Sequence, residues 1–300
     1  MNIWRKGKSG GTACGGTKEI TDMKKYLAAV LFLSGIIFVS AAGCGGTPAQ
    51  EETDSAREQE EAGGAQAQKE EAQGGTENAR AEEAISSLSE EAKSAYHSVL
   101  YDIYFNHLFP DEKSYGFLAD ADISENEFAI CDVDQDGSQE LLITYTTTDE
   151  AGKTEFIYDF VSALDTVREE FLEYPLLTFY DNGYIEAGWS QSQGLSGADF
   201  QPYTLYQYDS GSDTYVAAAQ VDAWERSVSE TDEEGNGFPE EIDAGGAGIV
   251  YYITPDGEEP GEPVDQAEYE AWTASWRGEA REMEIPWMKL TEENINMLKR

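Results

Sequence analysis

Residues 128–145 read FAICDVDQDGSQELLITY, two apolar runs of period two around a knot of acids. At the centre Asp132, Asp134, Asp136, Gly137 and Glu140 fall in the order DxDxDGxxE. Carboxylates at the first, third and fifth positions of a tight loop can converge on one hard cation, and glycine at the sixth permits the sharp turn. The seventh residue, Ser138, offers its carbonyl, and Glu140 at the ninth closes the shell. Flexible oxygen ligands in this number suit Ca2+ better than octahedral Mg2+. On the flanks Phe128 and Ile130 share one strand face; Leu141, Ile143 and Tyr145 share another, with Leu142 and Thr144 opposite. The competing reading is an acidic β-turn that binds nothing.

The loop departs from an EF-hand in two respects. Its twelfth position is Ile143, where an EF-hand carries a bidentate glutamate, and strands flank it in place of helices. It resembles the integrin-type calcium loops of β-propeller repeats and, more loosely, dockerin loops. That resemblance implies ligation by Asp132, Asp134, Asp136, Glu140 and the Ser138 carbonyl. A propeller needs several copies, whereas YDNGY (180–184), YDSGSD (208–213) and TPDGE (254–258) are hairpin turns without the ladder of acids. A propeller is therefore not expected. The ion is read as a structural clip and not as a reaction centre.

Outward from the loop, the period-two pattern continues. Strands are predicted at 141–147, 155–160, 167–174, 176–180, 184–189, 203–208, 214–224 and 249–254, joined by turn-rich segments. Strands at this spacing without intervening helices argue an antiparallel β-meander. Before the loop, Ser87-Leu88-Ser89-Glu90 offers a capping box to a helix whose apolar face runs through Leu88, Ala92, Ala95 or Tyr96, Val99, Ile103 and Leu108 and which Pro110 ends. After the meander, a helix from 264 carries Tyr269, Trp272 and Trp276 on one side, and Thr291 caps a short last helix. The fold class expected is α+β: an antiparallel meander sheet, an N-terminal helix, short C-terminal helices and one calcium-loop hairpin, in a single domain over 84–300.

The first eighty residues read differently. Met23 opens MKKYLAAVLFLSGIIFVSAAGC, with two lysines, an apolar run and small residues before a cysteine. These are the parts of an export signal, so 1–22 reads as a mis-assigned upstream extension and 23–43 as a signal peptide. Ala41-Ala42-Gly43-Cys44 resembles a bacterial lipobox, which implies a lipid on Cys44 and a protein anchored to the membrane on its extracytoplasmic face. An ordinary signal peptidase site is the alternative. Residues 44–83 are Gly, Ala, Gln, Glu and Thr with almost no large apolar side chain, a composition suited to a disordered acidic tether. As a whole, the chain resembles uncharacterised secreted bacterial lipoproteins, a resemblance that implies no activity.

The formal charge is −41, from 60 acidic and 19 basic residues, with no basic stripe to meet phosphates, so nucleic acid is excluded as a partner. Of three cysteines, two lie in the export region, which leaves Cys131 unpaired and read as a small core residue. Both histidines precede every serine elbow, and HExxH, CxxC and phosphate-cradling loops are missing from the sequence. Aromatic residues make up 12% of the chain, enough to raise a ligand-binding face, for which Trp189, Tyr203 and Trp224 are the candidates. The function expected is a monomeric, calcium-stabilised surface module binding a glycan or a cell-surface protein, not an enzyme. The alternative is a carboxylate-dependent, glycosidase-like hydrolase acting on surface glycans.

Overall fold

The computed structural model describes residues 78–190, 195–197, 200–232 and 234–299. The extension, signal segment, Cys44 and most of the tether lie outside the described residues. Among the described residues no helix is long and apolar enough to cross a membrane.

The described chain opens with helix α1 (78–87). Helix α2 (Glu90–Asn106) follows, and the Ser89 side chain accepts the Ala92 amide at its start. The cap thus falls on Ser89 and not on Ser87, which ends α1 with its hydroxyl donating to the Ala84 carbonyl, so the expected Ser87–Glu90 capping box does not form. At the other end His107 adopts a left-handed conformation (φ 53°), and its amide is taken by the Asp102 and Ile103 carbonyls. The helix stops four residues short of Pro110, so Leu108 falls beyond it and is exposed, contrary to the predicted face. Ala81 and Ile85 on α1 are buried, so packing begins ahead of residue 84.

Four strands then run antiparallel: β1 (Glu127–Cys131), β2 (Glu140–Tyr145), β3 (Thr154–Val161) and β4 (Thr166–Glu173). At Pro175, which has no amide to donate, the ladder breaks. A second antiparallel set follows: β5 (Leu177–Phe179), β6 (Tyr184–Gly188), β7 (Tyr203–Asp209), β8 (Thr214–Glu225) and β9 (Ile249–Pro255). Helix α3 (Gln266–Arg277), strand β10 (Met288–Lys289) and helix α4 (Glu292–Ile295) close the chain. The meander is thus two five-stranded sheets, β10-β1-β2-β3-β4 and β5-β6-β7-β8-β9. β10 returns to pair with β1, Phe128 opposite Met288, a strand not among those the sequence predicts.

The alternation in 128–145 decides the layering. Phe128, Ile130, Leu141, Ile143 and Tyr145 pack with Tyr96, Leu100 and Ile103 of α2 and with Ile295 and Leu298 at the C-terminus. From the opposite face, Ala129, Leu142 and Ile157 meet Phe179, Ile185, Ala187 and Tyr215 of the second sheet. The outer face of that sheet is covered by Tyr269, Trp272 and Trp276 of α3. The order is helices, sheet, sheet, helix. β2 is covered on both sides, which is why five of its six residues are buried. Each such large side chain contributes about 1.5–3 kcal/mol on burial.

Candidate metal centre

The β1–β2 connection is built by its own acids. The Asp136 amide donates to Asp134 Oδ1 at 2.9 Å, and the Ser138 amide donates to Asp136 Oδ1 at 2.7 Å. Gln135 and Gly137 take positive φ values of 64° and 97°, and Gln135 Nε2 donates to the Asp132 carbonyl. These turns bring one carboxylate oxygen each from Asp132, Asp134 and Asp136 within 4.8 Å of one another. Asp132 Oδ1 is buried and has no hydrogen-bond partner. An Asp-rich cluster able to hold a metal ion therefore stands where the sequence reading puts one.

Glu140 plays a different part from the one expected of it. It is 1% exposed and does not join the converging oxygens; its Oε2 accepts the Val133 amide at 2.9 Å and so ties the neck of the loop. Burial first, then the charge of Asp134, pushes its carboxyl up to about 10. Burial also pushes Asp134 up to about 6, against the lowering effect of the Asp136 amide. Ser138 enters through its amide.

The loop sits on the second sheet. A Cβ at Gly183 would stand 3.6 Å from the Asp134 carbonyl oxygen and 3.5 Å from Tyr208 Cβ, and Gly183 has φ +79°. Glycine is thus suited here both by its backbone and by the approach of the loop. Asp134 also joins a second group of oxygens, with Glu170 on β4 and Asp213 in the β7–β8 hairpin, again all within 4.8 Å. Arg168 Nη2 donates to Asp213 Oδ2 at 2.6 Å and to Glu170 Oε1 at 3.1 Å, and lies 3.6 Å from Asp159. Burial, then the charges of Asp159 and Asp134, pushes Glu170 up to about 8. The Tyr208 hydroxyl and Arg168 hold Asp213 below the usual carboxylate range.

No family model, curated protein or solved structure matches this chain. The site has to be judged on its own geometry. That geometry is an oxygen-only donor set, the kind that takes hard cations.

The aromatic candidates do not form a binding face. Tyr203 is 6% exposed and Trp224 3% exposed, because both point from strands into apolar clusters. Trp189 is half-buried, its Nε1 donating to Thr204 Oγ1 at 3.0 Å. Cys131 is a free thiol pushed up to about 12 by burial and by the charges of Glu140 and Asp132, so it is no nucleophile. A groove of about 480 Å3 that the sequence does not announce is lined by Glu127, Glu155, Glu282, Phe179 and Trp287 among others.

Proposed function

We propose that the chain is a lipoprotein, held to the extracytoplasmic face of a membrane through Cys44, that displays a Ca2+-stabilised binding domain. The observation that carries the calcium reading is the convergence of the Asp132, Asp134 and Asp136 oxygens in a loop pre-formed by its own amide-to-carboxylate bonds. The buried, unpartnered Oδ1 of Asp132 supports it, since an oxygen of that kind costs stability unless something binds it. Asp132, Asp134 and Asp136 would hold the ion, whose charge offsets their mutual repulsion. Holding the three carboxylates of the β1–β2 loop together, such an ion works as a clip on that loop.

The acidic and aromatic groove favours a cationic ligand over an anionic one. The hydrolase reading needs a carboxylate pair open to a glycan. Glu140, Glu155 and Glu170, the carboxyls that burial equips to hold a proton near neutrality, are 1%, 5% and 6% exposed, which favours the binding module.

The test is thermal. Extracellular modules bind Ca2+ at about 10⁻⁴–10⁻³ M. At about tenfold saturation linkage supplies about 1.4 kcal/mol, or about 3–5 °C in Tm for a domain of this size. Chelation should lower Tm by at least that amount, and Asp136→Asn should weaken the response while leaving a folded protein. A midpoint indifferent to chelator would overturn the calcium reading.

A further inference from the structure

The carboxylates around Asp134 are more numerous than one loop ion can serve. Glu170 has a side chain only 1% exposed. Its Oε1 takes the Arg168 guanidinium, but its Oε2 is buried with no hydrogen-bond partner. Beside it the Tyr208 hydroxyl donates to Asp213 Oδ1 at 2.6 Å and is also within hydrogen-bond reach of Asp134. A phenol carries one proton, so one of these two contacts sets oxygen against oxygen. The Tyr215 hydroxyl, on a ring 7% exposed, feels the charges of Asp134, Glu140 and Glu170 and has no partner either. Unsatisfied buried oxygens of two residues, Glu170 and Tyr215, thus gather where two sheets meet.

The backbone is shaped to bring Glu170 there. In the β3–β4 ladder Ile157 pairs with Phe171 and Tyr158 with Glu169, so Glu170 is the extra residue of a β-bulge. Val167 and Leu172 pack toward the helices, while Phe171 packs toward the second sheet. Strict alternation would send Glu170 to the helix side with Leu172. The bulge reverses the phase, so that Glu170 and Phe171 both face the seam, as bulges beside functional sites do.

We propose that Asp134, Glu170 and Asp213 hold a second hard divalent cation, beside the loop ion and sharing Asp134 with it. The donors are all oxygen, which selects the Ca2+, Mg2+ and Mn2+ class and disfavours zinc. Charge favours it too. Arg168 and one divalent ion leave Asp132, Asp134, Asp136, Glu170 and Asp213 two charges short of neutrality, and a second divalent ion supplies them. Arg168 keeps Oε1 of Glu170, and the ion takes the unserved Oε2. Because the three ligands come from the β1–β2 loop, β4 and the β7–β8 hairpin, the ion joins the two sheets. The loop site is its neighbour and not its premise.

Equilibrium dialysis against radiolabelled Ca2+, carried to millimolar concentration, tests this by stoichiometry. The wild-type chain should bind two ions. Glu170→Gln, nearly isosteric, should lose one and keep the loop ion; Asp213→Asn, in the hairpin, should do the same and covers the case in which the buried variant misfolds. Asp136→Asn should lose the loop ion alone, and Asp134→Asn both. A single ion that vanishes in Asp136→Asn but persists in Glu170→Gln and Asp213→Asn overturns the second site and leaves the loop intact. A single ion with the opposite pattern overturns the loop reading and leaves the second site. No bound ion overturns both.

Discussion

Glu155 on β3 is 5% exposed, beside Thr144 and near Glu127 in the wall of the groove. Burial pushes its carboxyl from 4.5 up to about 8, more than the Thr144 hydrogen bond lowers it. Between those two values the unfolded chain has released this proton and the folded chain still holds it. Stability from this residue is therefore present at low pH and falls as pH rises through that window. Glu155→Gln removes the titration. Its stability should match the wild type near pH 4 and exceed it at pH 9 by an amount of order a few kcal/mol, since each pKa unit is worth about 1.4 kcal/mol. Parallel pH–Tm curves for the two proteins would show that Glu155 ionises normally. Nothing in the sequence singles out this glutamate among 60 acids, because its burial comes from strands that pair through space.

At the scale of elements, local chemistry carries much of the structure. The Thr291 cap and the strand alternation of 128–145 depend on spacings of two to four residues, and they stand where the residues call for them, while the cap of α2 falls on Ser89, two residues past the expected Ser87. Ser89→Ala should cost about 1 kcal/mol of stability, read as a Tm drop of about 2–4 °C. An unchanged midpoint would mean that tertiary packing alone holds the start of α2. Other features give no such signal. A strand of two residues, β10, has too few positions to alternate. A bulge at Glu170 looks in sequence like uninterrupted period two, and only pairing with β3 reveals the extra residue. Asp213 belongs to YDSGSD, read as a plain hairpin turn; its own backbone (φ 55°) and Tyr208 turn it toward Asp134.

At the scale of the whole molecule, the acids of one loop, one strand and one hairpin converge at the seam of two sheets. The proposed lipidation of Cys44 belongs to this scale because it would decide where the domain works. Labelled fatty acid should enter the wild-type chain expressed in a bacterium and not Cys44→Ala, and translation from Met23 should give the same labelled product. Equal labelling of both chains would sink the anchor.

The sequence by itself determined what short-range rules can: the DxDxDG loop, its strand flanks, the period-two meander, the caps and the apolar faces. These follow from backbone geometry and alternation, which act over a few residues. It did not decide that the meander divides at Pro175 into two sheets, since period two names a face but never the sheet that will cover it. Nor did it show that Trp224 and Tyr203 are core and not surface, because aromatic side chains suit both places. Glu140 accepts the Val133 amide and stands outside the cluster of loop carboxylates, and Glu170 and Asp213 come to Asp134 from 36 and 79 residues away along the chain. Only the tertiary structure could bring them together, since carboxylates that far apart in sequence gather only where sheet pairing and a bulge hold them against their own repulsion.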